Sequence, residues 1–165
     1  MFRSIEDFES SWGRESAATL KVLRALSEAS LGQAVAPGGR TLGRLAWHLV
    51  LTLPEMMNQA GLPVTGPAED APQPPLGEII RVYESCARAV GEGVERGWSD
   101  AVLAERIPMY GEQWARGGVL QALIVHQAHH RAQMTVLMRQ AGLAVPGVYG
   151  PAREEWAAMN LPAPD

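Results

Sequence analysis

The sequence predicts an all-α protein, an antiparallel four-helix bundle built as one domain over residues 1–165. Three observations point there. Four segments repeat apolar residues at the three-and-four spacing of a helical face. Runs rich in Pro and Gly separate those segments. The composition, 47% hydrophobic and 19% charged, suits a chain that buries a core rather than one that stays disordered.

The first helix is predicted over 5–30, with Ile5, Phe8, Trp12, Leu20, Leu23 and Leu26 on one face and Glu6 and Asp7 at its start. Pro37, Gly38 and Gly39 break the pattern in the loop 34–40. Thr41 then caps a second helix over 41–60, whose stripe is Leu42, Leu45, Leu49 and Leu53. Pro54 lies inside it and is expected to kink or restart the helix, because it lacks the amide donor. Gly61 is a natural stop, and the Pro/Gly-rich stretch 61–75 reads as a long exposed connection that permits a crossover. A third helix follows over 76–97, with Leu76, Ile79, Ile80, Tyr83, Ala87, Val90 and Val94 as its apolar face. Residues 98–113 lack helical periodicity and read as a short helical turn plus extended chain. The fourth helix, 115–141, is the longest; at about 1.5 Å per residue it would span roughly 40 Å. A short helix is expected near Glu154–Met159.

Net charge excludes one class of partner. The 14 Lys and Arg against 18 Asp and Glu leave −4, with no basic face for nucleic acid. One cysteine, Cys86, suits a reducing compartment and reads as an inert buried thiol. Acidic residues near the N-terminus and the lack of a long apolar run predict a cytoplasmic protein without membrane partners.

The histidines carry the chemistry. Of four, His126, His129 and His130 fall within five residues of the fourth helix. His126 and His130, four apart, project from one face, on the stripe of Val119, Leu123, Met134 and Leu137. His129 is rotated by about 100° and is expected nearer the surface. His48 lies beside the stripe of the second helix. Three imidazoles from two facing helices can bind one divalent ion and leave positions open, as in catalytic sites. The bland alternative is that each is a neutral core histidine bonded to a carbonyl.

HQAHHRAQM (126–134) resembles the fourth-helix signature of the DinB/YfiT-like family, LGRLAWHLV (42–50) is similar to its second-helix motif, and LMRQAGL (137–143) echoes its close. The resemblance spans almost the whole chain. It implies a four-helix bundle holding one divalent ion, nickel or zinc, through His48, His126 and His130. It also implies a metal-dependent enzyme of the thiol S-transferase or isomerase type, with a low-molecular-weight thiol as co-substrate, a small-molecule substrate and a homodimer. The alternatives are a non-catalytic metal-binding or stress-response protein and a metal-dependent hydrolase. Where many relatives carry an acidic or aromatic residue after the second-helix histidine, this chain has Leu51, Thr52 and Leu53. Its nearest carboxylate is Glu55, after Pro54, so no general base is assigned.

Other residues are placed by pattern. Arg131 and Gln133 are expected on a solvent-facing surface, with support of the ligands or anion recognition as the alternative. Trp47 is either a wall beside His48 or a buried aromatic, and Met56, Met57, Met134 and Met138 fill the core. Leu45, Leu49, Leu123 and Met134 are expected to make the pocket around the ion apolar. Trp114, Tyr149 and Trp156 are candidates for covering an open end or a dimer contact.

Overall fold

The computed structural model describes residues 1–163; Pro164 and Asp165, the end of the expected domain, lie outside the described residues. Four α-helices dominate: α1 Ile5–Arg24, α2 Leu42–Gln59, α3 Leu76–Gly97 and α4 Arg116–Gln140. Between α3 and α4 come a 3-10 turn, Asp100–Ala104, and a hairpin of β1 Arg106–Met109 and β2 Glu112–Ala115. A further 3-10 segment, Arg153–Met159, forms the tail expected there.

Side-chain caps open α1 and α2. The Ser4 hydroxyl accepts the Asp7 amide at 3.0 Å, and Thr41 accepts the Arg44 amide at 3.1 Å. α1 ends six residues before the expected boundary. Ser27 turns extended, and the Ser30 hydroxyl bonds both backbone groups of Ser27, donating to its carbonyl at 2.7 Å and accepting its amide at 3.1 Å. That local bonding competes with helical bonds and turns the chain, while Leu26 and Leu31 stay buried. α2 continues through Pro54 as one helix.

Contacts fix the directions of the helices. Trp12 Nε1 donates to the Ala87 carbonyl at 2.9 Å and Arg24 pairs with Glu84, so α1 and α3 run antiparallel. His48 meets His126 while Arg116 Nε reaches the Ala60 carbonyl at 3.1 Å, so α2 and α4 are also antiparallel. Phe2 donates its amide to Gly117 at the start of α4, and Lys21 reaches the Gly147 carbonyl beyond its end, making α1 and α4 parallel. α2 and α3 are parallel neighbours, which requires the crossover that the 61–75 stretch permits. That connection is pinned rather than loose. Leu62 and Val64 are buried, Asn58 clamps Val64 through both its backbone groups, and Trp47 Nε1 donates to the Ala71 carbonyl at 2.8 Å. Trp47 therefore anchors the crossover and is buried, not a wall beside His48.

The core runs along the bundle axis. Phe8, Leu23, Leu42, Leu53, Ile79, Val90 and Leu120 are fully buried, and so are Met57, Met109, Met134 and Met138, with Met56 nearly so. One polar hub crosses it. Gln127, fully buried on α4, accepts the Tyr83 hydroxyl of α3 at 3.1 Å and donates to the Leu49 carbonyl of α2 at 3.2 Å, with Thr19 Oγ1 of α1 3.3 Å from its oxygen. All four helices meet there. No helix among the described residues is long and apolar enough to cross a membrane.

Candidate metal centre

The hub sets the level of the site, because Leu49 and Gln127 each follow a histidine in sequence. Pulling them together brings His48 of α2 against His126 of α4, Nε2 to Nε2 at 3.2 Å. One helical turn on, His130 Nε2 lies 3.1 Å from His126 Nε2. The three rings stand edge to face, with centroids 4.5 to 5.0 Å apart. Of the histidines on α4, His130 is buried, His126 half-buried and His129 exposed, as the helical face required.

Burial and mutual charge keep the rings neutral. His48 and His126 are each lowered to about 4, first by desolvation and then by the neighbouring imidazoles. His130 is lowered by desolvation as well, partly offset by its bond to Gln133. Neutral imidazole is the form that binds a metal.

The hydrogen-bond pattern decides whether an ion fits. His130 Nδ1 lies 2.7 Å from Gln133 Oε1, so that nitrogen carries the proton and Nε2 presents a lone pair to the cluster. The Gln133 amide nitrogen in turn lies 3.1 Å from His129 Nε2. His126 Nε2 then faces two other ring nitrogens at hydrogen-bond distance, and a single proton sits squarely in only one of those contacts. The other is left lone pair against lone pair, an arrangement that an electropositive centre shared by three Nε2 atoms relieves. The donor set of three imidazole nitrogens is one that could hold a metal ion. His126 Nδ1 is buried without a hydrogen-bond partner among the described residues.

Arg131 corrects the sequence reading. It is not solvent-facing but 1% exposed, bonded to Glu15 Oε2 at 2.5 Å, to the Glu15 carbonyl, to Thr19 Oγ1 and to the Tyr149 hydroxyl. Tyr149 thus ties the tail to α1 and α4. Gln133 is exposed as expected, yet it takes the supporting role that was the alternative. The expected pocket also changes. Leu49, Leu123 and Met134 are fully buried behind the rings and only Leu45 borders a cleft.

The cleft beside His48 and His126, about 600 Å³, is instead lined by Glu55, Met56, Tyr110, Trp114 and Val125. The hairpin supplies its aromatic wall, with Tyr110 and Trp114 centroids 5.8 Å apart. The Tyr110 hydroxyl donates to the Glu55 carboxylate, 2.9 Å from both oxygens. Burial pushes that carboxyl above its usual range, against the pull of the hydroxyl. Glu55 therefore points toward the site despite Pro54. Sequence reasoning missed Tyr110, although Tyr-Gly between two short extended runs is a hairpin signal. Cys86 is buried, and desolvation raises its thiol, the inert state expected of it.

A second cleft, about 530 Å³, lies on the other side of His129 and is bordered by Arg40, Leu45, His130 and Gln133. Two openings thus reach one cluster of three imidazoles.

A model of the DinB family matches residues 1–164. The chain is 45% identical over 165 residues to Uncharacterized protein YrdA of Bacillus subtilis strain 168, across 99% of each. It superposes on the crystal structure of a DinB-like protein from Bacillus cereus ATCC 10987 with a TM-score of 0.87 and 43% identity, over 90% of this chain and 100% of that one. It shares the fold of the DinB-like protein YjoA of Bacillus subtilis, with a TM-score of 0.68 and 13% identity over 86% and 97% of the two chains. With helix order, histidine placement and whole-length matches in agreement, the chain belongs to the DinB family.

Proposed function

We propose that His48, His126 and His130 hold one divalent ion, nickel or zinc, through their Nε2 atoms, and that the protein is a metal-dependent enzyme acting on small molecules. The observation that carries this reading is the convergence of three neutral imidazoles from two helices, with one lone pair fixed inward by Gln133. No fourth His, Cys, Asp or Glu joins the group among the described residues, which favours an open site over a closed structural one. A divalent ion there supplies Lewis acidity, lowering the pKa of a thiol or water that reaches it.

The chain's own residues do the rest. Met56, Trp114 and Val125 give the larger cleft an apolar wall that excludes water and holds an apolar electrophile. Glu55 stands in the same cleft as a group that can take up or release a proton, held in place by the hydroxyl that Tyr110 donates to it. The reaction we infer is transfer of a low-molecular-weight thiol to that electrophile, or its thiol-assisted isomerisation. Glu55 favours a second reading, hydrolysis, because a carboxylate that burial makes more basic can accept a proton from water.

Elemental analysis of tag-free protein should find one equivalent of metal, lost in His126→Ala and in His130→Ala but kept in His129→Ala. A cobalt-substituted sample then separates the chemistries. A new absorption band on adding small thiols supports thiol activation, whereas a spectrum that changes only with pH supports hydrolysis. One tightly held metal whose spectrum answers to neither would leave a structural site.

A further inference from the structure

We propose that the smaller cleft, on the Arg40 side of the three histidines, is a binding site for a small aliphatic carboxylate. The inference rests on the metal-enzyme reading for its purpose, since the acid would lie beside the same rings, but its binding does not require the ion.

Four walls of this cleft are aliphatic: Val35, Leu45, Val136 and Leu137. Val35 and Val136 are 69% and 54% exposed, so the rim leaves branched hydrocarbon in water around the opening. The one permanent charge is Arg40. Seven other basic side chains pair with carboxylates, but Arg40 makes no ion pair or side-chain hydrogen bond among the described residues. An unpaired guanidinium above an apolar pocket matches an amphiphile with one anionic end.

The position of Arg40 is held. Ala34 bridges Thr41 and the Leu42 amide donates to the Gln33 carbonyl at 2.7 Å, closing the loop that carries both Val35 and Arg40. The local field has the same sign. The first turn of α2 contains no acidic residue and carries Arg44, also without a partner among the described residues, where a helix ordinarily favours carboxylates. Cations at the positive end of a helix oppose each other unless an anion joins them. The larger cleft carries Glu55 instead, which would repel an acid. The two openings are therefore charged oppositely, and His129 borders both.

The test uses hexanoate and 1-hexanol as probes, titrated into the full chain after metal removal by chelation and followed by amide and side-chain NMR shifts. Hexanoate should move signals of Leu45, Gln133 and Val136, and bind at least ten times more tightly than 1-hexanol. Arg40→Gln, at an exposed position, should remove that preference while leaving the 1-hexanol affinity unchanged. Equal affinities for the two probes, an unchanged preference in Arg40→Gln, or shifts confined to Met56 and Tyr110 would overturn the proposal. Metal content is measured separately, so a protein that binds no metal yet shows Arg40-dependent hexanoate binding would refute the metal reading alone.

Discussion

At the scale of single residues, chemistry here depends on which nitrogen holds a proton. Gln133 fixes that choice for His130 while its amide bonds His129. Gln133→Ala should therefore lower metal affinity about 10–100-fold, the usual cost of losing a partner behind a ligand. His129→Ala should cost less, and competition with a chromophoric chelator measures both. A second residue makes a test by pH. Glu9 Oε1 is buried without a partner, and desolvation, helped by Glu95, raises its carboxyl to about 7 from 4.5. The folded state then holds more protons than the unfolded one between those values, so the group's stabilising contribution is present below 4.5 and lost as pH rises through 7. Glu9→Gln should raise the urea midpoint at pH 8 and leave it unchanged at pH 4. Of these residues the sequence put His126 and His130 on one inward face by their spacing and His48 beside the stripe of α2, and the structure brings the three rings together. The sequence offered Gln133 as a support only as the alternative to a solvent-facing residue, because an exposed helical glutamine looks alike whether or not it meets a ring.

Among the elements, the hairpin departs most from the sequence reading. Its strands have four residues each and no strict alternation, so only the turn betrays them. Tyr110 and Gly111 both take positive φ, +50° and +84°, the pairing of a tight two-residue turn. Glycine tolerates this and alanine does not, so Gly111→Ala should cost about 1 kcal/mol. A fall of roughly 2–4 °C in the melting midpoint, with altered Trp114 fluorescence, would register it. The helices were far more legible. α2, α3 and α4 lie within one residue of their expected bounds because caps and breakers sit at their ends. α1 was overextended because Leu26 continues its apolar stripe past the serines that stop it. α4 also hides a second inward face, through Leu120, Ile124, Gln127, Arg131 and Met138, on which two polar residues disguise the burial.

Across the whole molecule, two buried polar connections join what the apolar core alone would leave free to slide. One is the Gln127 hub; the other is Arg131 with Glu15, side chains 2% and 15% exposed. Removing one partner of such a pair strands a buried charge, so Arg131→Met should destabilise by about 3 kcal/mol in urea unfolding. Adding Glu15→Gln should recover part of that loss. The overall class followed from the sequence, which only permitted a crossover; the directions of the helices did not follow, since periodicity says nothing about which neighbours run parallel. The distance along the chain between the two halves of the histidine cluster has a kinetic consequence. His48 and His126 are 78 residues apart, and they meet only when α2 and α4 have docked. A loop that long closes late, so an ion held by both helices would find no site in the early folding ensemble. Zinc should accordingly leave the refolding limb of a chevron plot almost unchanged and slow the unfolding limb, making the ion a brake on the native state rather than a guide toward it.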